Sequence, residues 1–251
     1  MLKKIISPKT TVAAVLLLLI IVSVAYFLWW RLPETAYDNA LKQVELLRTI
    51  TQDTTATMKN IKSPVGLERE FLTAQQANIK SYQSVVDSLS SDVVVRRDPQ
   101  VASVFNESKD KLLSYSSAVN DELSSIDSYL TILESCTAVI EKLSSITNVN
   151  DFDTASQACN DVIELSDSTA DTSFKQQYLN GYLPLARDLL AAYRKKIAGE
   201  SGKTVATTIE TLNRHITELR TKELSITAPN LSSTLDKLDS ITRSQKTTLL
   251  R

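Results

Sequence analysis

The sequence predicts an all-α protein: a single amino-terminal transmembrane helix followed by an elongated antiparallel helical bundle. Three observations predict it. The run Val12–Trp30 (VAAVLLLLIIVSVAYFLWW) carries no charge. Beyond it, apolar residues recur at steps of three and four over long stretches, the period of one helix face. Gly and Pro are scarce in 251 residues, at 4 and 6. They leave little material for tight turns or for the phosphate-cradling loops of α/β enzymes.

As a helix, Val12–Trp30 just spans a hydrocarbon core of about 30 Å. It closes on Tyr26, Trp29 and Trp30, rings that favour the headgroup level. Lys3, Lys4 and Lys9 precede it, and Arg31 alone follows closely. The excess of positive charge on the amino-terminal side places residues 1–11 in the cytoplasm and the bulk of the chain outside it. A cleaved signal peptide with Ser23-Val24-Ala25 as its small-residue site is the competing reading. The apolar run continues past Ala25, which favours a retained anchor in the plasma or inner membrane. Four of the 28 bases lie in this region and none of the 29 acids do, so 24 bases meet 29 acids in the remainder, a net of −5. A mildly acidic domain has no electrostatic reason to coat nucleic acid.

Residues 33–91 form a membrane-proximal helical hairpin. Its first limb carries Ala40, Val44, Leu47, Thr51, Thr54, Met58 and Ile61, a heptad-like seam diluted by Thr. Ser63-Pro64 opens the second limb, which carries Leu67, Phe71, Ala74, Asn78, Tyr82, Val85 and Leu89. Three valines in Ser90–Arg97 favour an extended connector. Residues 98–251 form a long bundle. Asp98-Pro99 is a cap and first-turn pair, and a stripe from Val101 to Leu143 follows, with a weak point at Asn120-Asp121. Asn148–Asp153 reads as a turn. The next arm has a soft spot at Asp167–Thr172 and a kink at Gly181 and Pro184, and ends at Gly199–Gly202; the last arm breaks at Pro229. Segments 98–147, 151–198 and 201–250 are of matched length with short connections, so they are expected as antiparallel neighbours in a spectrin-like three-arm rod. The alternative is that the weak points break each arm in two and the chain packs more compactly.

Cys136 and Cys159 are the only cysteines. They lie at similar distances before and after the turn near Val149, within about one helical turn of each other in an antiparallel pair. Outside the cytoplasm a Cys136–Cys159 disulfide is expected; two small buried hydrophobes that never meet are the alternative. Phe174, Tyr178, Tyr182 and Tyr193 share a face around the kink and are candidates to line a ligand pocket between helices, although such a stripe also serves as core. His215 is the sole histidine and reads as a solvated helix-face residue. Asp151 and Asp153 lack the glycine and distal glutamate of a calcium loop and read as capping residues. Arg194-Lys195-Lys196 complements the carbonyl end of its helix. No catalytic motif, metal-ligand spacing or cofactor fingerprint stands out. The expectation is a non-catalytic scaffold or adaptor at the cell envelope, acting with a protein partner or as a homo-oligomer. The alternative is a small-molecule sensor that signals through a membrane partner.

Overall fold

A computed structural model describes residues 19–23, 33–200 and 202–249. The flank 1–11 and most of the Val12–Trp30 run lie outside them. Within that run Leu19–Ser23 is helical, and Leu19, Ile20, Ile21 and Val22 are each more than half exposed. Among the described residues no helix is long and apolar enough to cross a membrane, and none forms a strand.

Among the described residues eight α-helices follow Pro33: α1 (Glu34–Asn60), α2 (Arg69–Ser91), α3 (Val93–Arg97), α4 (Pro99–Lys142), α5 (Val149–Asp167), α6 (Asn180–Ile197), α7 (Lys203–Arg220) and α8 (Ser232–Leu249). The chain is organised on α4. Its 44 residues span about 66 Å, and they pass Asn120-Asp121 without a break. Asp98 caps it, accepting from the amides of Gln100 and Val101, and Pro99 opens the first turn.

α4 packs with α1, α2 and α8 into one up-down bundle, and α2 reaches into its second half, where Arg69 bonds to Thr131 at 2.8 Å and to Glu134 at 2.8 and 2.9 Å. Tyr37 donates to Asp98 at 2.7 Å at one end, and the Tyr82 hydroxyl donates to the Leu112 carbonyl at 3.0 Å further along. Lys246 on α8 reaches Asp38 at 2.7 Å and Glu34 at 3.1 Å on α1. The hairpin therefore shares one continuous core with α4 and α8. The carboxy-terminal half of α4 packs with α5 and with the start of α6, while α7 lies on α6. Two bundles thus share one helix and overlap along it, since Glu122 serves the second and Thr131 the first.

The expected three-arm rod is corrected at its second and third arms. The second arm folds back on itself. α5 ends at Asp167, and the chain turns and becomes helical again at Ser173, so its two limbs each cover only half of α4. The cause is Glu122, buried on α4, which accepts hydrogen bonds from the Ser173 amide (2.8 Å), the Ser173 hydroxyl and the Phe174 amide (3.0 Å). A carboxylate from another helix thereby satisfies the orphan donors of a new helix start. The third arm is stretched rather than kinked. Residues 223–231 are non-helical, with Leu224, Ile226 and Leu231 buried in the core and the Leu224 amide bonded to the Lys62 carbonyl at 2.7 Å.

Smaller corrections follow local chemistry. Val93–Arg97 is a short helix, not an extended connector, because Asp92 caps it through the Val94 amide at 2.8 Å and Val94 and Val95 are buried. The turn before α5 spans residues 143–148 and not Asn148–Asp153, since Asn148 itself caps the helix by accepting from the Asp151 amide. The buried face of α2 is carried by Leu72, Gln75 and Ile79, one residue on from Phe71, Ala74 and Asn78. In the Thr-diluted seam of α1 the Thr51 hydroxyl bonds back to the Leu47 carbonyl at 2.9 Å, while the Thr54 hydroxyl is buried without a partner.

Candidate functional site

In the second bundle α4 and α5 are joined by a disulfide between Cys136 and Cys159, whose Cα atoms stand 4.9 Å apart. Cys159 is fully buried and Cys136 half-buried. Arg194 reaches from α6 to α5 with two hydrogen bonds to Asp153, of 2.7 and 2.9 Å. These contacts hold α5 and α6 on the spine and leave α7 as the outermost helix.

The aromatic face divides. Phe174 and Tyr178 are fully buried and pack on Tyr129 of α4, at ring-centroid distances of 6.0 and 4.9 Å. Tyr182 stacks on Tyr178 at 5.4 Å and meets Tyr129 edge-on at 5.4 Å. Tyr129 is the ring that gathers the other three. A π-helical turn at Lys175–Leu179 precedes Pro184, which has no amide hydrogen to continue an α-helical ladder. It brings Phe174, Tyr178 and Tyr182 inward together. Tyr193 stands away from this cluster, packed between α6 and α7.

Beside the cluster a cavity of about 340 Å³ lies between α4, α6 and α7. Tyr182 and Tyr193 line it; Phe174 and Tyr178 belong to the core behind it. The remaining wall is mostly aliphatic, with Leu133, Ile140, Leu189 and Ile216 among its members, and Cys136 contributes to it. Arg220, the last residue of α7, is the one charged residue in the lining. Its Nε is buried without a hydrogen-bond partner, as are the hydroxyls of Tyr129 and Tyr178. Burial pushes the Tyr178 phenol far above the ordinary tyrosine value and that of Tyr182 to about 12; Tyr129 adds to both shifts and the Arg220 charge opposes both. The phenols are therefore neutral at pH 7, and Arg220 sets the potential of the cavity.

The other candidates are placed as follows. His215 is exposed on α7, in a groove of about 560 Å³ whose described lining comes from α7 alone. Asp151 accepts from the Asn148 side chain at 2.7 Å, and Asp153 pairs with Arg194. Among the described residues no three His, Cys, Asp or Glu side chains converge as a metal site would require. Arg220 escapes a sequence reading because a base in the last turn of a helix has an ordinary explanation in the helix dipole. The close approach of α7 to α6 is legible at Gly181, where an added Cβ would lie 3.3 Å from Leu219 Cδ2. No family model, no curated protein and no solved structure matches this chain.

Proposed function

We propose that this chain is a non-catalytic helical scaffold, anchored in the membrane through Val12–Trp30 and presenting its bundle outside the cytoplasm to a protein partner or to a second copy of itself. The observation that carries this reading is the unbroken α4. A single helix of 44 residues running through both bundles holds the surfaces at its two ends about 66 Å apart, as a spacer or adaptor requires. Four consecutive apolar side chains of the run, Leu19 to Val22, are exposed, and burial in lipid would remove them from water. The disulfide belongs to an oxidising compartment, which agrees with the orientation argued from Lys3, Lys4 and Lys9.

Fractionation and external proteolysis of source cells test this reading. The full-length chain is expected in the membrane fraction, resisting alkaline extraction, with the bundle digested from outside and crosslinks to an envelope protein lost on deletion of residues 98–251. Recovery in the cytosol, with both thiols free to alkylation, contradicts it. A second reading, a ligand-sensing bundle that signals through a membrane partner, is favoured by the cavity against Tyr182 and Tyr193.

A further inference from the structure

We propose that the cavity between α4, α6 and α7 binds a small amphipathic carboxylate, its anionic group on the Arg220 guanidinium and its apolar body against Tyr182, Leu133, Leu189 and Ile216. The inference rests on the ligand-sensing reading of this cavity and is independent of the membrane anchor.

Four observations carry it. The cavity, at about 340 Å³, falls within the range of roughly 300–1,000 Å³ typical of small-molecule sites. Its described lining contains one charge, Arg220, and no acid, so the field inside favours an anion. Arg220 has no hydrogen-bond or ion-pair partner among the described residues, and its Nε is a buried donor with no acceptor. This side chain is therefore not spent on the terminal carbonyls of α7, the ordinary use of a base at that position. A buried donor left unmade is costly, and a carboxylate supplies the planar, two-oxygen acceptor that matches a guanidinium.

The rest of the lining excludes other anions. Only Thr137, Asn213 and Thr217 add polar side chains besides the two tyrosines and Arg220. A doubly charged phosphate would exceed the single compensating charge. A fully hydrated anion would leave the aliphatic wall wet. An apolar body with a monoanionic head satisfies both ends of the site.

The position of α7 gives the ligand a way in. It is held to α6 by a small cluster, Ile209 and Leu212 against Leu189 and Ala192, and reaches the main core only through the half-buried Ile216 and Leu219 near its end. Gly199, at φ +80°, reverses the chain just before it, while the far end of α7 is tied down by Lys222 on the Gln177 carbonyl at 3.0 Å and by the buried Leu224. A shift of α7 away from α6 and α4 that gives up the Ile216 and Leu219 contacts opens the cavity.

The test uses the full-length chain in a neutral detergent and two probes of the same shape, 4-phenylbutyrate and 4-phenylbutanamide. Calorimetric titration is paired with hydrogen exchange read by mass spectrometry. The acid is expected to bind about ten-fold or more tightly than the amide, to lose that advantage in Arg220→Gln, and to protect amides in 133–140, 182–193 and 213–220. Equal binding of acid and amide, with protection at the cavity, would overturn the carboxylate assignment and leave the ligand-binding reading standing. No binding of either probe, or protection confined to other segments, would overturn both. The comparison of the two probes on the unmodified chain decides the matter even if Arg220→Gln fails to fold.

Discussion

The two bundles on α4 are built to the same up-down plan and held by different means. In the first, α8 closes the bundle on both neighbours. Lys246 bonds to α1 through Asp38 and Glu34, Arg48 meets Asp236 at 2.9 Å, and Lys237 meets Glu107 on α4 at 2.5 Å. In the second, the corresponding outer helix, α7, rests on α6 and leaves a cavity toward α4. A covalent bond and the Arg194–Asp153 pair hold α5 and α6, but no described ion pair joins α7 to another helix. Both bundles contain buried polar atoms without partners. Those of the second gather at one place, where the phenols of Tyr129 and Tyr178 pack together and the Arg220 charge acts on Tyr178. The first bundle ties its outer helix down with ion pairs; the second holds its outer helix by side-chain packing.

The largest expected effects break the comparison at the core. Leu112→Ala, at a fully buried position on α4, is expected to cost about 2–5 kcal/mol. Leu212→Ala on α7, whose surroundings can collapse, is expected to cost less than about 2 kcal/mol. Urea unfolding at constant slope measures both. Replacing both cysteines by alanine, which opens a loop with a sequence separation of 23 residues, is expected to cost about 3 kcal/mol in the chain-entropy model. That loss should fall on the second bundle, and thermal melts with and without reductant check it.

Glu122→Ala sharpens the comparison at the fold-back. It leaves the Ser173 and Phe174 amides without their acceptor, with an expected cost of about 2 kcal/mol. Glu122→Gln, which keeps a side-chain acceptor, should cost less in the same melt. The smallest effect is electrostatic. The Arg194 hydrogen bond holds Asp153 below the ordinary carboxylate range, and the Lys237 hydrogen bond does the same for Glu107. A depressed folded-state value means that each contribution is present above the unfolded pKa of about 4 and is lost as pH falls through the folded value. Both groups are exposed, so salt should mute the effect. Melting temperature recorded from pH 7 to pH 3 at low salt should show a shallower acid limb in Arg194→Gln and in Lys237→Gln.

Much of the helical content was legible because its signals are local. Asp98-Pro99 caps and opens α4 as those residue types predict; the start of α5 was legible only to within a few residues, because Asn148–Asp153 offers several residues able to cap. The two cysteines flank that turn almost evenly, which is why a pairing could be argued from spacing. The arm plan was not legible, because what breaks the second arm is a contact across the fold: Glu122 offers acceptors to Ser173 and Phe174, fifty residues away in the chain. The extended segment did leave a trace in Leu224 and Ile226, apolar residues two apart with Ser225 between them, the period of an extended chain and not of a helix. The cavity was half legible. Tyr182 and Tyr193 were on the expected face, but Phe174 and Tyr178 were drawn into the core by Tyr129. Arg220 gained its meaning only from the neighbours that α7 fails to give it.

The most direct measurement is hydrogen exchange across the unmodified full-length chain without ligand. If α7 is the loosely held wall of the second bundle, amides of 203–220 should exchange through local opening well before those of 99–142 and of 232–249, which should exchange together near the global limit. Protection of α7 equal to that of α8 would contradict the account, because the two outer helices would then be held alike and the second bundle would have no wall to open.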